Sequence, residues 1–499
     1  MRLIAFLFLA ATSAHVCVGT GPRVGTGAIA RPSRAQLGRC LRSLQYWIRP
    51  SLLGAALITS LIASIISTAA TRPRYGGTLH VMLQSAPNTL DLPTNSAPAD
   101  YWDAVRMLSL VGDNLVTVDA QDRAHPALAV AWQSDATARH WQFTLRNGVK
   151  FHDGSAASAG ELARILGALH SDWNVHASGD ALAIDTEASA PSLLAELALP
   201  RNLILKRNAT GLPIGTGAFR VAEWQPGKLL ELAADEESWA GRPFLDAVEI
   251  EFGKSLRDQA IALELGKTDV IETAPQASAS NASPRIHTSL PVELMALVFS
   301  ANSKAQDARL REALALSVDR KPIQSVLLKG AGEPAASVLP NWMTGYSSVF
   351  SVQANVQRAK VVLAESRQPA LKLSYDPRDP QAQLIAERIA LNAREAGITV
   401  QVSLSGTDDL HLVRVALPSA DPVTSLREAA RQFGLPVPVV RSNAVEDLYQ
   451  AEHTLLDGHP VIPLFHLPVS SAAGARVRAW APDRLGGWNL QDLWLEDSR

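Results

Sequence analysis

The chain has 499 residues, 47% of them hydrophobic and 19% charged, a balance that fills a large core and excludes an intrinsically disordered chain. The formal net charge of −2 hides an asymmetry: residues 1–70 carry seven Arg and no acidic residue, leaving 39 basic against 48 acidic residues in the remainder. An acidic body without a basic stripe argues against nucleic acid as a partner. At roughly 150 residues per domain, the length accommodates about three folded units.

Two apolar stretches open the chain. Leu3 to Val18 comes after Arg2 as the apolar core of a signal peptide does. Ser51 to Ala70 has no charge over twenty residues and is long enough to cross a bilayer. Arg39, Arg42 and Arg49 precede it, which keeps residues 21–50 in the cytoplasm and exports the chain beyond residue 70. Small residues at Ser67, Ala69 and Ala70 also offer a signal-peptidase-like site, so a cleaved signal and a retained anchor both fit. Ala14-His15-Val16 before Cys17 is no lipobox, so lipid anchoring is not expected. The only other cysteine is Cys40, so the exported body has neither a disulfide framework nor a thiolate metal site.

Strand and helix signals alternate from about residue 76. Trp141, Phe143 and Leu145 alternate with polar residues, Asn147-Gly148 supplies a hairpin turn, and Val149 and Phe151 begin a return strand. Ser158 with Glu161 forms a capping box that opens a helix whose Leu162, Ile165, Leu166 and Leu169 share a face. Val248, Ile250 and Phe252 read as a strand, residues 256–265 as a helix stopped at Gly266, and residues 269–271 as another strand. Residues 274–284 (APQASASNASP) are the best linker.

Leu371, Leu373 and Tyr375 form a strand that stops at Asp376-Pro377. A helix from 381 to 396 then presents Leu384, Ile385, Ile389 and Ala393, and Gly397 ends it. Ile398, Val400, Val402 and Leu404 alternate again. Strand, helix and strand with short joints predict a parallel pair, with ligand beyond the strand ends near Tyr375 and Asp376.

The sequence holds no Gly-x-Ser-x-Gly, His-Glu-x-x-His, Cys-x-x-Cys or Walker motif. Gly215-Thr216-Gly217 lacks the third glycine of a dinucleotide loop, and His152-Asp153 reads as turn chemistry before Gly154. His411, His459 and His466 lack ligand-like spacing. No catalytic residue, metal or cofactor is expected.

Several stretches, in order, resemble the family 5 extracellular solute-binding proteins, the dipeptide, oligopeptide and nickel receptors of ABC transporters. They are Tyr75-Gly76-Gly77-Thr78-Leu79, Pro87-Asn88-Thr89-Leu90-Asp91, Asp113-Asn114-Leu115-Val116 and Pro126-Ala127-Leu128-Ala129-Val130-Ala131-Trp132. Trp141 to Arg146 then runs into Val149 to Ser155, and Gly215 to Phe219, Trp239 to Asp246 and Arg311 to Arg320 complete the series. The resemblance covers nearly all of residues 75–495.

It implies an α/β fold of two lobes that close like a flytrap, as in periplasmic binding proteins, with a smaller inserted subdomain and a preceding signal or transmembrane segment. By likeness, residues 1–71 are the export signal or anchor. Lobe I is 72–114, 184–285 and 470–499, the subdomain is 115–183, and lobe II is 286–469, with hinges near 285 and 469. The implied function is the solute-binding component of an ABC transporter on the periplasmic or extracellular face of the membrane. Such a monomer captures a short peptide or another small polar solute and meets an ABC permease. The alternative is a degenerate membrane-tethered relative acting as an interaction or regulatory protein.

Peptide receptors of this kind place an Asp four residues before a Pro, where it meets the ligand ammonium. Here Pro418 stands four before Pro422, which leaves Asp421 as the substitute. The candidate ligand-binding residues are Arg414 and Ala416 on the lobe II edge, Asp421, Phe465 and His466 near the return crossing, and Trp342 and Tyr375 as flat apolar surface. Without a carboxylate at 418, a ligand with a blocked or absent amino terminus is expected.

Overall fold

The structure, a computed structural model, describes residues 72–92, 98–119, 121–275, 285–364, 369–379, 381–404 and 408–496. Both apolar N-terminal stretches and most of the expected linker lie outside the described residues. Among the described residues no helix is long and apolar enough to cross a membrane.

In chain order, the first elements are β1 (Thr78–Met82) and α1 (Pro98–Val111). A small unit comes next: β2 (Ala129–Ser134), β3 (His140–Leu145), α2 (Ala159–Leu169), β4 (Trp173–Ser178) and β5 (Ala181–Thr186). The chain then forms β6 (Phe219–Gln225), β7 (Leu229–Ala234), β8 (Ala247–Glu251), α3 (Leu256–Glu264) and β9 (Val270–Thr273). The long β10 (Ile286–Phe299) leads to α4 (Ala308–Ser317), β11 (Leu371–Tyr375), α5 (Ala382–Glu395), β12 (Val400–Ser403) and β13 (Leu410–Ala416). Helices α6 (Pro422–Gln432) and α7 (Val445–Leu456) precede β14 (Val461–Ala473).

One sheet path runs β6-β7-β8-β1-β9-β14-β10-β13-β11-β12. Its first half packs a core around Leu79, Val81, Phe219, Leu232 and Ile250. The other half is buried on both faces, which β10 shows directly. Met295 and Leu297 join one core with Leu373, Ile385 and Ile389, while Leu294 and Ala296 join another with Val415, Leu426 and Leu448. That is the two-residue period of a strand with apolar cover on each side.

β10 and β14 carry the chain between the two halves as one antiparallel pair. Its register shifts on both sides of Pro291, which stands opposite Pro468. Neither proline donates a backbone hydrogen bond, so the ladder is weakest there and the pair can bend.

The small unit is an antiparallel sheet, β2-β3-β5-β4, with α2 packed on a core of Phe143, Phe151, Leu162, Leu166 and Ile184. The Ser158 hydroxyl accepts the Glu161 amide, as the capping box requires. The return strand expected at Val149 and Phe151 is not formed. β3 already pairs with β2 on one edge and β5 on the other, and only an isolated bridge joins Lys150 to Ala156. Both side chains are buried all the same, held by packing rather than by a ladder.

Three apolar assignments also differ. Leu169 is exposed in the last position of α2, and Leu404 is exposed just past β12. Leu384 is exposed on α5, whose buried stripe is Ala382, Ile385, Ala386, Ile389 and Ala393. The parallel β11-β12 pair forms as the strand–helix–strand reading predicts.

The Gly-Thr-Gly segment serves the end of α1. A Cβ on Gly215 would sit 2.0 Å from the Val111 carbonyl oxygen, and one on Gly217 would sit 2.6 Å from that of Leu110. Between them, the Thr216 hydroxyl donates to Asp113 Oδ2 at 2.7 Å, where the Trp239 indole also donates at 2.9 Å. His152 lies beside this segment, 2.9 Å from the Gly217 carbonyl oxygen, and Asp153 accepts from Ser155 and Lys206 in its turn.

Candidate functional site

A cavity of about 980 Å³ opens between the two halves of the large sheet. From the first lobe α1 contributes Tyr101, Trp102 and Arg106, and β9 contributes Glu272 and Thr273. From the second, β10 contributes Glu293, the end of β11 contributes Tyr375, and β13 contributes Val413, Arg414 and Val415. Trp102 and Arg106 are one helical turn apart, so both point to one side of α1.

Ion pairs organise the cavity wall. Arg106 Nη1 lies 3.0 Å from Asp103 Oδ1 and 3.7 Å from Glu272 Oε1. Arg414 lies 2.7 Å from Asp379 Oδ2 and 3.5 Å from Glu293 Oε2. Burial pushes the Asp103 carboxyl up to about 8, helped by Glu272 and opposed by Arg106. Burial also raises Glu293, against the pull of Arg414 and Arg106. For Arg414, burial works against the charge, but Asp379 and Glu293 outweigh it and the pKa rises. Burial, then the nearby Glu428, keeps the Tyr101 hydroxyl protonated.

Two pairs span the lobes at the cavity rim. Arg378 donates both terminal nitrogens to Asp100, at 2.8 and 3.0 Å, and its carbonyl accepts the Gln84 amide. Arg201 pairs with Glu428 across the opening while also holding Glu196. An apolar cluster of Trp102, Val105, Val292 and Ala416, with Trp342 and Val469 against it, closes the back.

Of the residues singled out from sequence, Arg414 and Tyr375 line the cavity. Ala416 and Trp342 lie in the apolar cluster behind it, and the Trp342 indole donates to the Pro291 carbonyl at 2.9 Å. Asp421 is the N-cap of α6: Oδ1 accepts the Thr424 amide at 2.7 Å and Oδ2 accepts Asn443 at 2.9 Å. Phe465 is buried in the second-lobe core. His466 Nε2 donates to the Val338 carbonyl at 3.0 Å, and burial pushes its pKa down to about 4, so it is neutral. Tyr375, Arg414 and the adjacent Asp376 are thus brought together, and the other five candidates are not.

Sequence reasoning missed Tyr101, Trp102, Arg106, Glu272, Glu293 and Asp379. A signal existed in two places. Asp103 and Arg106 are an i, i+3 pair inside the apolar stretch YWDAVRMLSLV, and Glu293 stands alone in LPVELMALVF. Charges so placed are expected to be paired and buried at a site.

The lobe II edge is partly covered. β13 pairs with β10 over Leu410–Ala416 but with β11 only as far as Leu412. Beyond that, Gln432 of α6 takes up Ala416: its Nε2 donates to the Ala416 carbonyl at 3.0 Å and its Oε1 accepts the Ala416 amide at 3.3 Å. These are the two hydrogen bonds that an added strand would make. His411, also at the cavity, has both ring nitrogens engaged, with Ser374 at 2.6 Å and Ser300 at 2.8 Å. Among the described residues, no group of three His, Cys, Asp or Glu is arranged to hold a metal ion.

A mixed sheet divided by two crossing strands, with a cavity walled by ion pairs and apolar side chains between its halves, is the architecture of a two-lobed solute-binding protein. The solved structures agree on that fold. Staphylococcus aureus NikA in complex with Ni(L-His)2 matches at TM-score 0.71 and 18% identity, over 84% of this chain and 100% of that one. The binding protein AgaA from A. tumefacien R10, in complex with agropinic acid, matches at TM-score 0.73 and 18% identity, over 85% and 99%. Bacillus subtilis AppA with a nonapeptide matches at TM-score 0.68 and 17% identity, over 85% and 100%.

The chain is a relative of the bacterial extracellular solute-binding proteins of family 5: the model of that family's middle region matches residues 181–413. In sequence it is 24% identical over 360 residues to the nickel-binding protein NikA of Staphylococcus aureus, covering 67% of this chain and 72% of that one. These relatives are binding proteins of transporters, not enzymes.

Proposed function

We propose that this chain is the solute-capturing receptor of an ABC transporter, working outside the cytoplasmic membrane and delivering its ligand to a permease there. Its ligand is a short peptide or another small polar solute, enclosed between lobe I (72–114, 184–285, 470–499) and lobe II (286–469), with 115–183 as the inserted subdomain. The observation that carries this reading is the cavity walled by both lobes and bridged at its rim by Arg378–Asp100 and Arg201–Glu428. A ligand touching both walls makes its full contacts only when the lobes are together, so binding favours the closed population.

The chemistry of the walls narrows the ligand. Asp421 has both oxygens occupied as a helix cap, and the cavity carboxylates Glu293 and Asp379 face Arg414, which supports a ligand without a free ammonium. With His411 engaged on both nitrogens, a metal would enter only as a complex with a small molecule. A second reading, a family relative kept for interaction rather than transport, draws support from Gln432 occupying the strand edge.

Small-angle scattering with and without ligand tests the first reading. Thermal-shift screening against peptides, amino-acid conjugates, nickel–histidine complexes and sugars selects the ligand, and the radius of gyration should then fall at saturation. A profile that does not change with any stabilising ligand would count against lobe closure and leave the second reading.

A further inference from the structure

The gap in the β10–β14 ladder is filled by side chains. Pro291 faces Pro468 there, and neither proline has an N–H to donate across the pair. The Pro291 carbonyl instead accepts the Trp342 indole N–H at 2.9 Å, and the Val469 amide donates to the Ser289 hydroxyl at 3.0 Å. Ser289 belongs to β10 itself, whereas Trp342 comes from 51 residues beyond Pro291 in the chain. Its ring also packs on the apolar cluster that Trp102 and Val105 of lobe I build with Val292 and Ala416 of lobe II. One side chain thus joins the bend to a contact between the lobes.

Lobe II holds the segment that carries Trp342. Glu333 and Pro334 pair with His466 and Phe465 of β14, and the Ala335 amide donates to the Leu464 carbonyl at 2.8 Å. Ala335, Val338 and Leu339 are buried with Leu426 and Leu448. Trp342 then sits in a short turn, Asn341–Thr344, which ends at Gly345 with a φ of 77°. Glu452 of α7 grips both flanks of that turn. Its Oε1 accepts the Leu339 amide at 2.6 Å, and its Oε2 accepts the Tyr346 hydroxyl at 2.5 Å. Glu452 is fully buried with both oxygens used, and a satisfied polar network of that kind makes the turn rigid.

We propose that residues 332–346 form a strap that sets the angle between the lobes, with Trp342 as its contact on the bend and Glu452 as its clamp. This rests on the receptor reading above and adds the residues that govern its closure. Swinging the lobes apart about Pro291 turns its carbonyl relative to lobe II, while the clamp keeps the indole in place. A hydrogen bond weakens steeply as its angle closes, and one lost without replacement is costly. The strap therefore favours the arrangement in which the rim pairs Arg378–Asp100 and Arg201–Glu428 are made. Trp342 is a positioning residue, which acts on the bend without touching the ligand.

The unliganded full-length chain is compared with Trp342→Phe, which keeps an aromatic ring and loses the N–H, by small-angle scattering and thermal denaturation. The variant should have a larger radius of gyration than wild type. Tyr346→Phe, which removes one donor from the clamp, should shift the radius the same way and speed amide hydrogen exchange across residues 335–344. It also carries the test where Trp342→Phe does not fold. A folded variant whose radius matches wild type overturns the strap, even with a lowered melting temperature, because that result marks the segment as plain lobe II packing. The receptor reading survives that outcome, since it is tested by ligand-induced closure of the wild-type chain.

Discussion

Asp421 shows how one residue can satisfy two sequence readings and be fully used by one. As the N-cap of α6 it saturates both carboxylate oxygens. Asp421→Ala should cost about 0.5–2 kcal/mol of stability by loss of the cap. It should leave the affinity ratio between free and N-acetylated ligands unchanged, whereas loss of a preference for the free amine would make Asp421 an ammonium partner. His466 gives a pH signature. Its folded pKa of about 4 lies below the ordinary value of about 6.5, so the unfolded chain takes up this proton first as pH falls. Its contribution is intact above about pH 6.5 and is progressively lost down to about pH 4, by a few kcal/mol. His466→Gln should flatten that part of the stability profile in denaturant titrations. A profile of unchanged slope would show that other groups set the acid limit.

At the scale of elements, close approaches and edges decide behaviour. Gly215 packs the segment before β6 against the last turn of α1, leaving no room for a methyl group beside the Val111 carbonyl. Gly215→Ala must displace one backbone from the other and should destabilise by about 1–3 kcal/mol, read as a lower denaturation midpoint. The edge of β13 behaves differently. Gln432 holds the Ala416 amide and carbonyl, so an extended ligand pairing there has to displace it. Gln432→Ala should therefore raise the affinity of extended peptides severalfold in calorimetry. A loss of affinity would mean that Gln432 itself contacts the ligand.

For the whole molecule, the balance between open and closed depends on weak links between lobes. The Arg378–Asp100 pair has good two-point geometry, but the Arg378 side chain is 45% exposed, so the pair contributes about 0.2–1 kcal/mol and is screened by salt. Arg378→Ala should shift the unliganded population toward open forms, seen as a larger radius of gyration at low salt and a smaller difference from wild type at high salt. The bend itself is expected where Pro291 faces Pro468, since the β10–β14 ladder shifts register there.

Local patterns were legible because they depend on neighbours in sequence. The alternation in β3, the Ser158 cap, the strand–helix–strand unit from Leu371 and the tight turn at Asn147-Gly148 arise from side-chain period and turn chemistry alone. The order of motifs carried the two-lobed class. Which edge a strand uses was not legible. Val149 and Phe151 have the pattern of a strand, yet β2, just before β3, and β5, well beyond it in the chain, already occupy both sides of β3. The site was legible only at Tyr375 and Asp376, at the end of β11 where ligands gather, and at Arg414 on the edge of β13. Trp102, Arg106 and Glu293 became a site only when α1, β9, β10 and β13 met. A side chain's period tells which face it occupies, and only the partner packed against that face decides whether it lies in core or cavity.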